Sequence, residues 1–88
     1  MKPLLFLLFL FSNPLYPVFS HSNLLETVTK NPDEAKHICN KFREFNSKGI
    51  SASSDKAIKY VSNKKKFTPV NAEIFSIYVI GLHCPDIL

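Results

Sequence analysis

Hydrophobic residues recur at helical spacing between residues 31 and 49, and the polar residues between them fall on the opposite side. The apolar positions are Ala35, Ile38, Cys39, Phe42 and Phe45. Their spacing of three or four residues is that of one face of an α-helix. Asn31, Pro32 and Glu34 have the order of a capping box at a helix start, and Gly49 is a typical helix end. The pattern predicts a helix over residues 32–47 with one buried face.

A second, shorter amphipathic segment follows this helix. Its apolar positions are Ala57, Ile58 and Val61, with Lys56 and Lys59 on the outside. Of the serines that precede it, Ser53 is the favoured N-cap, because a serine hydroxyl accepts hydrogen bonds from the free amides of a helix start. The pattern predicts a helix over residues 54–63. Residues 64–67 are expected to form a short connection.

The last apolar run, residues 74–80, is rich in β-branched and aromatic residues and would suit a strand as well as a helix. Three observations favour a helix: the run does not alternate, Thr68 and Pro69 form an N-cap and a first helical position, and the segment is long for a strand. The sequence therefore predicts a helix over residues 69–83. Because this helix is apolar all round, we expect the other helices to bury it at the centre.

The first twenty residues have the order of a secretory signal peptide. Lys2 precedes an unbroken apolar run over residues 4–11, a proline-containing break follows, and small residues occur near Ser20. We expect cleavage after Ser20, with Ser22 as the alternative, and a secreted or periplasmic location. An uncleaved membrane anchor is the other interpretation, but a span needs about 20 apolar residues and this run is shorter.

The predicted organisation is a signal peptide over residues 1–20, an N-terminal segment over 21–30 and one helical domain over 31–88. The N-terminal segment carries apolar residues at helical spacing, but it is short. We expect it to be either a short docked helix or disordered, because isolated helices of this length are unstable in water. The fold class is all-α, a small domain of three main helices.

Two cysteines, Cys39 and Cys84, follow the signal segment. An even count in a small secreted domain favours a disulfide, and two cysteines allow one pairing. Closing a loop of about 45 residues would stabilise the fold by about 4 kcal/mol. The alternatives are a zinc site with His37 and His83, whose spacing matches no structural zinc pattern, and a cysteine nucleophile, for which no orienting group is recognisable. We expect no metal and no cofactor.

The formal net charge of the chain is +4, and removal of Lys2 lowers it to +3. This charge is too weak to indicate nucleic acid as a partner. Lys64, Lys65 and Lys66 are the one basic cluster in the sequence. With Phe67 beside them they form a candidate contact surface for an anionic partner, and a solvated loop is the simpler interpretation.

Sequence motifs of enzymes are missing: there are no paired carboxylates, no nucleophile elbow and, with two glycines in the chain, no phosphate loop. We therefore expect a small secreted non-enzymatic binding module whose partner is an anionic surface or another extracytoplasmic protein. The alternative is a membrane-active protein, in which the last helix inserts into lipid and lysines hold the headgroups. The two differ in whether residues 74–82 are buried or available to lipid.

Residues 33–85 also resemble a known family. Cys39 lies within a helix, a polar turn with Gly49 and a second helix follow, and Cys84 comes twelve positions after the run that ends in Ala72. This order is similar to the small secreted two-cysteine helical domain best known from mycobacteria, domain of unknown function 732. The resemblance implies a compact helical module tied by a disulfide. It implies no catalytic residue, because that family carries no assigned activity.

Overall fold

The computed structural model describes residues 21–88, and within them the chain forms four α-helices and no strand. The helices are α1 His21–Lys30, α2 Pro32–Ser47, α3 Asp55–Lys65 and α4 Pro69–His83. The predicted all-α class is confirmed. The predicted count of three helices is wrong, because the N-terminal segment is a fourth helix. The signal peptide expected over residues 1–20 lies outside the described residues.

α1 is held in place by two residues one turn apart. Leu24 and Val28 are 0% and 1% exposed, and the helix packs against α2 and α4. A helix of ten residues is marginal by itself in water. The sequence left open whether this segment is a docked helix or disordered. The tertiary contacts favour the docked helix.

The junction between α1 and α2 is the single residue Asn31, and the predicted capping box is wrong. The Asn31 side-chain amide donates a hydrogen bond to the Thr27 carbonyl at 2.7 Å and makes no cap bond to α2. The carboxylate of Glu34 binds Lys65 on α3, at 2.9 Å, instead of reaching back to Asn31. α2 nevertheless begins at Pro32, as predicted, with that proline at its first position.

Two sequence signals lie in the loop between α2 and α3: the predicted glycine turn is confirmed, and the predicted N-cap of α3 is wrong. Gly49 has a φ of +77°, a left-handed conformation that favours glycine after a helix. The N-cap of α3 is Ser54, whose hydroxyl accepts a hydrogen bond from the Ala57 amide at 3.2 Å. Ser53, the predicted cap, instead contacts the hydroxyl of Ser51 at 2.9 Å. The predicted cap is therefore off by one residue.

α3 continues two residues beyond its predicted end, so Lys64 and Lys65 are helical and not part of a connection. Lys66 is the C-cap, with φ 60° and ψ 40°. Ser62 closes the turn: its hydroxyl donates to the Phe67 carbonyl at 2.6 Å, and its carbonyl accepts from the Phe67 amide at 3.1 Å. α4 then begins with the predicted cap, since the Thr68 hydroxyl accepts from the Asn71 amide at 3.2 Å.

α4 is the central helix, as predicted, because it packs against each of the other three. Its inward side contributes Ala72, Phe75, Ser76 and Val79 to the interior. The expectation that it is buried all round is wrong. Val70, Ile77 and Leu82 are 65%, 60% and 52% exposed. α1, α2 and α3 cover one side of α4 and leave Val70 and Ile77 of the other side in solvent, while Leu82 is exposed in the last turn of the helix.

Cys39 on α2 and Cys84 after α4 form the predicted disulfide, with an S–S distance of 2.05 Å and Cα atoms 6.1 Å apart. Both cysteines are buried. The segment after Cys84 also returns to α2. Leu88 donates its amide to the Asn46 side chain at 2.9 Å and accepts from the Ala52 amide at 2.8 Å. The end of the chain is thus fixed to the loop between α2 and α3.

Candidate functional site

The lysines of the predicted contact cluster at the end of α3 do not all point outward. Lys64 and Lys66 are exposed. Lys65 turns inward, where its side chain is 18% exposed and forms an ion pair with Glu34 at 2.9 Å. Successive residues of a helix point in directions about 100° apart, so neighbours in a lysine run cannot all face the same partner.

Lys65 and Phe67 instead form an interior contact that ties α2 to the junction of α3 and α4. The Lys65 ammonium lies 5.8 Å from the centre of the Phe67 ring and 5.5 Å from that of Phe75. The two rings meet edge to face at 5.4 Å. Aromatic faces attract cations, so this contact adds to the ion pair with Glu34. Of the four predicted contact residues, Lys64 and Lys66 remain available to a partner.

Two further exposed lysines on α3 extend the surface around Lys66. Lys56 and Lys59 are exposed and lie one turn apart, on the same side of the helix as Lys66. We call Lys56, Lys59 and Lys66 the basic face. Lys64 is exposed too, but at about 100° per residue it lies about 140° around α3 from Lys59 and is not part of this face. Asp55 at the start of α3 is the acidic residue of this helix. The sequence placed Lys56 and Lys59 outside the core but did not assign them to a surface, because their alignment with Lys66 depends on where α3 ends.

The lysines of the basic face have no acidic partner, unlike most other basic residues in the part of the chain that the structure describes. The ion pairs within residues 23–88 are Lys30–Glu26, Lys41–Glu44, Arg43–Asp86, Lys48–Glu44 and Lys65–Glu34, at 2.9 to 3.8 Å. None of them includes a lysine of the basic face. Apart from Lys36 on α2, the lysines without an acidic partner in this part of the chain therefore all lie on α3 or at its C-cap.

A groove runs between α3 and α4, beside the basic face. One part, of about 380 Å³, is lined by residues that include Ile58, Lys59 and Pro69. A second part, of about 100 Å³, is lined by Ile58, Ile77 and Ile80 among others. Ile58 lines both parts, so we treat them as one α3–α4 groove. From Pro69 to Ile80 on α4, the linings of the two parts together span about 16 Å, or three helical turns. The groove follows from tertiary packing and has no sequence signature of its own.

The residues weighed for metal binding are not assembled into a site. His37 and His83 are exposed, and Cys39 and Cys84 are joined to each other. Over the described part of the chain, no group of three or more His, Cys, Asp or Glu side chains is placed to hold a metal ion. The disulfide leaves neither cysteine as a thiolate for zinc or for nucleophilic attack. None of the described helices is long and apolar enough to cross a bilayer.

Comparisons with known proteins identify a family but no activity. The searches of curated proteins and of solved structures each found no match. The resemblance to domain of unknown function 732 stays a prediction. A family model matches residues 25–84, which include the basic face, the α3–α4 groove and both cysteines. The chain therefore belongs to the family described as domain of unknown function DUF8664.

Proposed function

We propose that this protein is a small secreted, non-enzymatic interaction module that binds an anionic extracytoplasmic partner through its basic face. The observation that carries the proposal is that Lys56, Lys59 and Lys66 are exposed and unpaired along one side of α3 and its C-cap, whereas most other cations within residues 23–88 are paired. An anionic partner would supply the opposite charge that the described residues do not. Because these charges lie in solvent, salt should weaken the attraction.

The conformation of Lys66 gives further support. A left-handed conformation costs a residue with a side chain about 1 kcal/mol, and glycine is the usual residue at this position after a helix. A lysine here reduces stability but places a positive charge at the end of the basic face. A positive charge at this exposed position would be available to an anionic partner.

The disulfide supports a secreted binding module over an enzyme. It is buried and ties α2 to the end of α4, which suits an oxidising compartment. It also consumes both cysteines, the side chains weighed as a nucleophile from the sequence. The proposed role therefore depends on surface charge and a rigid scaffold, and not on a reactive group.

The proposal is tested by retention of the secreted chain on a polyanionic resin. Simultaneous Lys56→Gln, Lys59→Gln and Lys66→Gln substitutions should abolish retention at low salt. The matched control carries Lys30→Gln, Lys36→Gln and Lys48→Gln, which removes the same net charge from exposed positions on α1, on α2 and at the C-cap of α2. We expect the control to be retained and to elute with salt. Equal loss in both variants would mean that net charge alone matters, which contradicts a specific face.

A membrane-active protein is the second candidate function, and the exposed apolar residues Val70, Ile77 and Leu82 of α4 favour it. Insertion of the whole helix would have to remove Phe75 and Val79 from the core, where they are 1% and 0% exposed. We therefore expect no dye leakage from vesicles that contain anionic lipid. Efficient leakage at physiological salt would favour the membrane-active function and contradict the proposed one.

A further inference from the structure

We propose that the α3–α4 groove binds an amphipathic helix of a partner protein, one that carries acidic residues along the edge facing α3. The proposal rests on the proposed function and specifies the chemistry of the anionic partner. It adds an apolar requirement to the charge requirement, because the basic face and the groove adjoin each other at Lys59.

The lining of the groove includes apolar side chains that the rest of this chain leaves uncovered. Ile58 and Ile80 are half-buried and Ile77 is 60% exposed, so apolar surface in the groove is left uncovered by this chain. The length of about three helical turns fits a helix with apolar residues at positions i, i+4, i+7 and i+11. Such a helix would bury one apolar stripe against α3 and α4.

The two walls of the groove carry different charges, and these would determine how the partner helix is oriented. Lys59 lines the α3 wall, with Lys56 one turn before it, and Asp55 is the one acidic group on that wall. Glu73 lines the α4 wall, is exposed and has no ion pair within residues 23–88. The partner helix should therefore have acidic residues on its α3 edge and a basic residue on its α4 edge. This charge pattern would fix the direction in which the helix lies.

Two other occupants fit the groove less well. A lipid surface would bring Glu73 toward acyl chains, and an ionised carboxylate without a partner is costly to remove from water. A second copy of this chain, paired through the same surface, would bring two basic faces close together, and like charges repel. A helix with the stated charge pattern avoids both conflicts.

The test uses a fluorescent synthetic peptide of about 18 residues, with leucines at the four spacings, glutamates on one edge and a lysine on the other. Its control is a scrambled peptide of the same composition. Fluorescence anisotropy with the secreted chain should show binding of the patterned peptide and about tenfold weaker binding of the scrambled one. Equal binding of the two peptides would overturn the proposal.

Substitutions on α4 test whether the groove is the site. Ile77→Ser should weaken binding about tenfold. The matched control is Leu82→Ser, since Leu82 is on the same helix and similarly exposed, at 52%, but does not line the groove. It should change affinity by less than about twofold. Equal effects of the two substitutions would overturn the assignment to the groove. Circular dichroism of each variant verifies that it is folded.

A charge reversal tests the orientation of the bound helix. Glu73→Lys should weaken binding of the patterned peptide and strengthen binding of a second peptide with glutamates on both edges. The same direction of change for both peptides would contradict the proposed orientation.

Further measurements distinguish failure of the groove proposal from failure of the proposed function. Ile77→Ser should leave retention on the polyanionic resin unchanged. If resin retention holds but no patterned peptide binds, the groove proposal fails and the proposed function stands. Binding to phosphatidylglycerol vesicles that Ile77→Ser removes, without peptide binding, would identify a lipid occupant and overturn the proposal. A dimer in sedimentation that the same substitution dissociates would identify a second copy and also overturn it.

Discussion

Lys66 combines an unfavourable backbone conformation with a charged side chain at the end of α3. Lys66→Gly should raise the free energy of unfolding by up to about 1 kcal/mol, because glycine adopts the left-handed conformation without steric cost. The control is Lys64→Gly, two residues earlier and still helical, which should lower the free energy of unfolding by up to about 1 kcal/mol. Urea denaturation measures both. The same sign for the two substitutions would contradict the assigned conformations.

Lys65 illustrates how one residue of a charged run can be structural. Its ion pair with Glu34 is largely shielded, at 18% and 30% side-chain exposure. Glu34→Gln should lower the free energy of unfolding by about 1 to 2 kcal/mol, between the effects of surface and buried pairs. Glu26→Gln removes an exposed pair with Lys30 and should cost less than about 0.5 kcal/mol. Similar losses from both substitutions would mean that the Lys65 contact is no stronger than a surface pair.

At the scale of helices, α1 depends on its contacts with α2 and α4. Leu24→Ala should lower the free energy of unfolding by about 3 kcal/mol, the usual cost of truncating a fully buried leucine. Leu25 is the control, since it neighbours Leu24 but is 39% exposed, and Leu25→Ala should cost less than about 1 kcal/mol. Thermal unfolding followed by circular dichroism distinguishes them. A small effect of Leu24→Ala would mean that α1 is not part of the cooperative unit.

Two helices could be predicted closely because their signals are local. The starts of α2 and α4 depend on a proline at the first helical position, and Thr68 caps α4 through a residue three positions away. The capping box failed because Glu34 has a partner 31 positions away, which a local pattern does not contain. The sequence pattern ends α3 two residues too early because the lysines resemble a connection, whereas Ser62 closes the turn at Phe67.

The candidate site was predictable only in part, for the same reason. Clustering in the sequence identified Lys64 and Lys66, but it also included Lys65, which the fold turns toward Glu34. Lys56 and Lys59 join Lys66, and not Lys64, because they share a helical side with Lys66, and this requires the correct helix end. The α3–α4 groove depends on which side of α4 the other helices leave uncovered. Because α4 is apolar all round, its sequence does not indicate that side.

For the whole molecule, the disulfide should contribute a large part of the stability. A domain of this size has a small core, and opening a loop of 45 positions restores unfolded-state entropy worth about 4 kcal/mol. We therefore expect the reduced chain to unfold at a much lower temperature than the oxidised chain, as followed by the helical signal in circular dichroism. Intact mass should differ by two hydrogens between the oxidised and reduced chains. Unchanged melting after complete reduction would contradict this prediction.

The position of the two cysteines also affects how the protein responds to proteolysis. Cys39 and Cys84 enclose α3, α4 and both loops between α2 and α4 in one covalent ring. A single cut in either loop would leave the two pieces joined, at an effective concentration on the order of millimolar. Such a nicked chain would gain the mass of one water and keep the helices that form the groove attached to each other. A protease would need two cuts within the ring before any fragment of it could diffuse away.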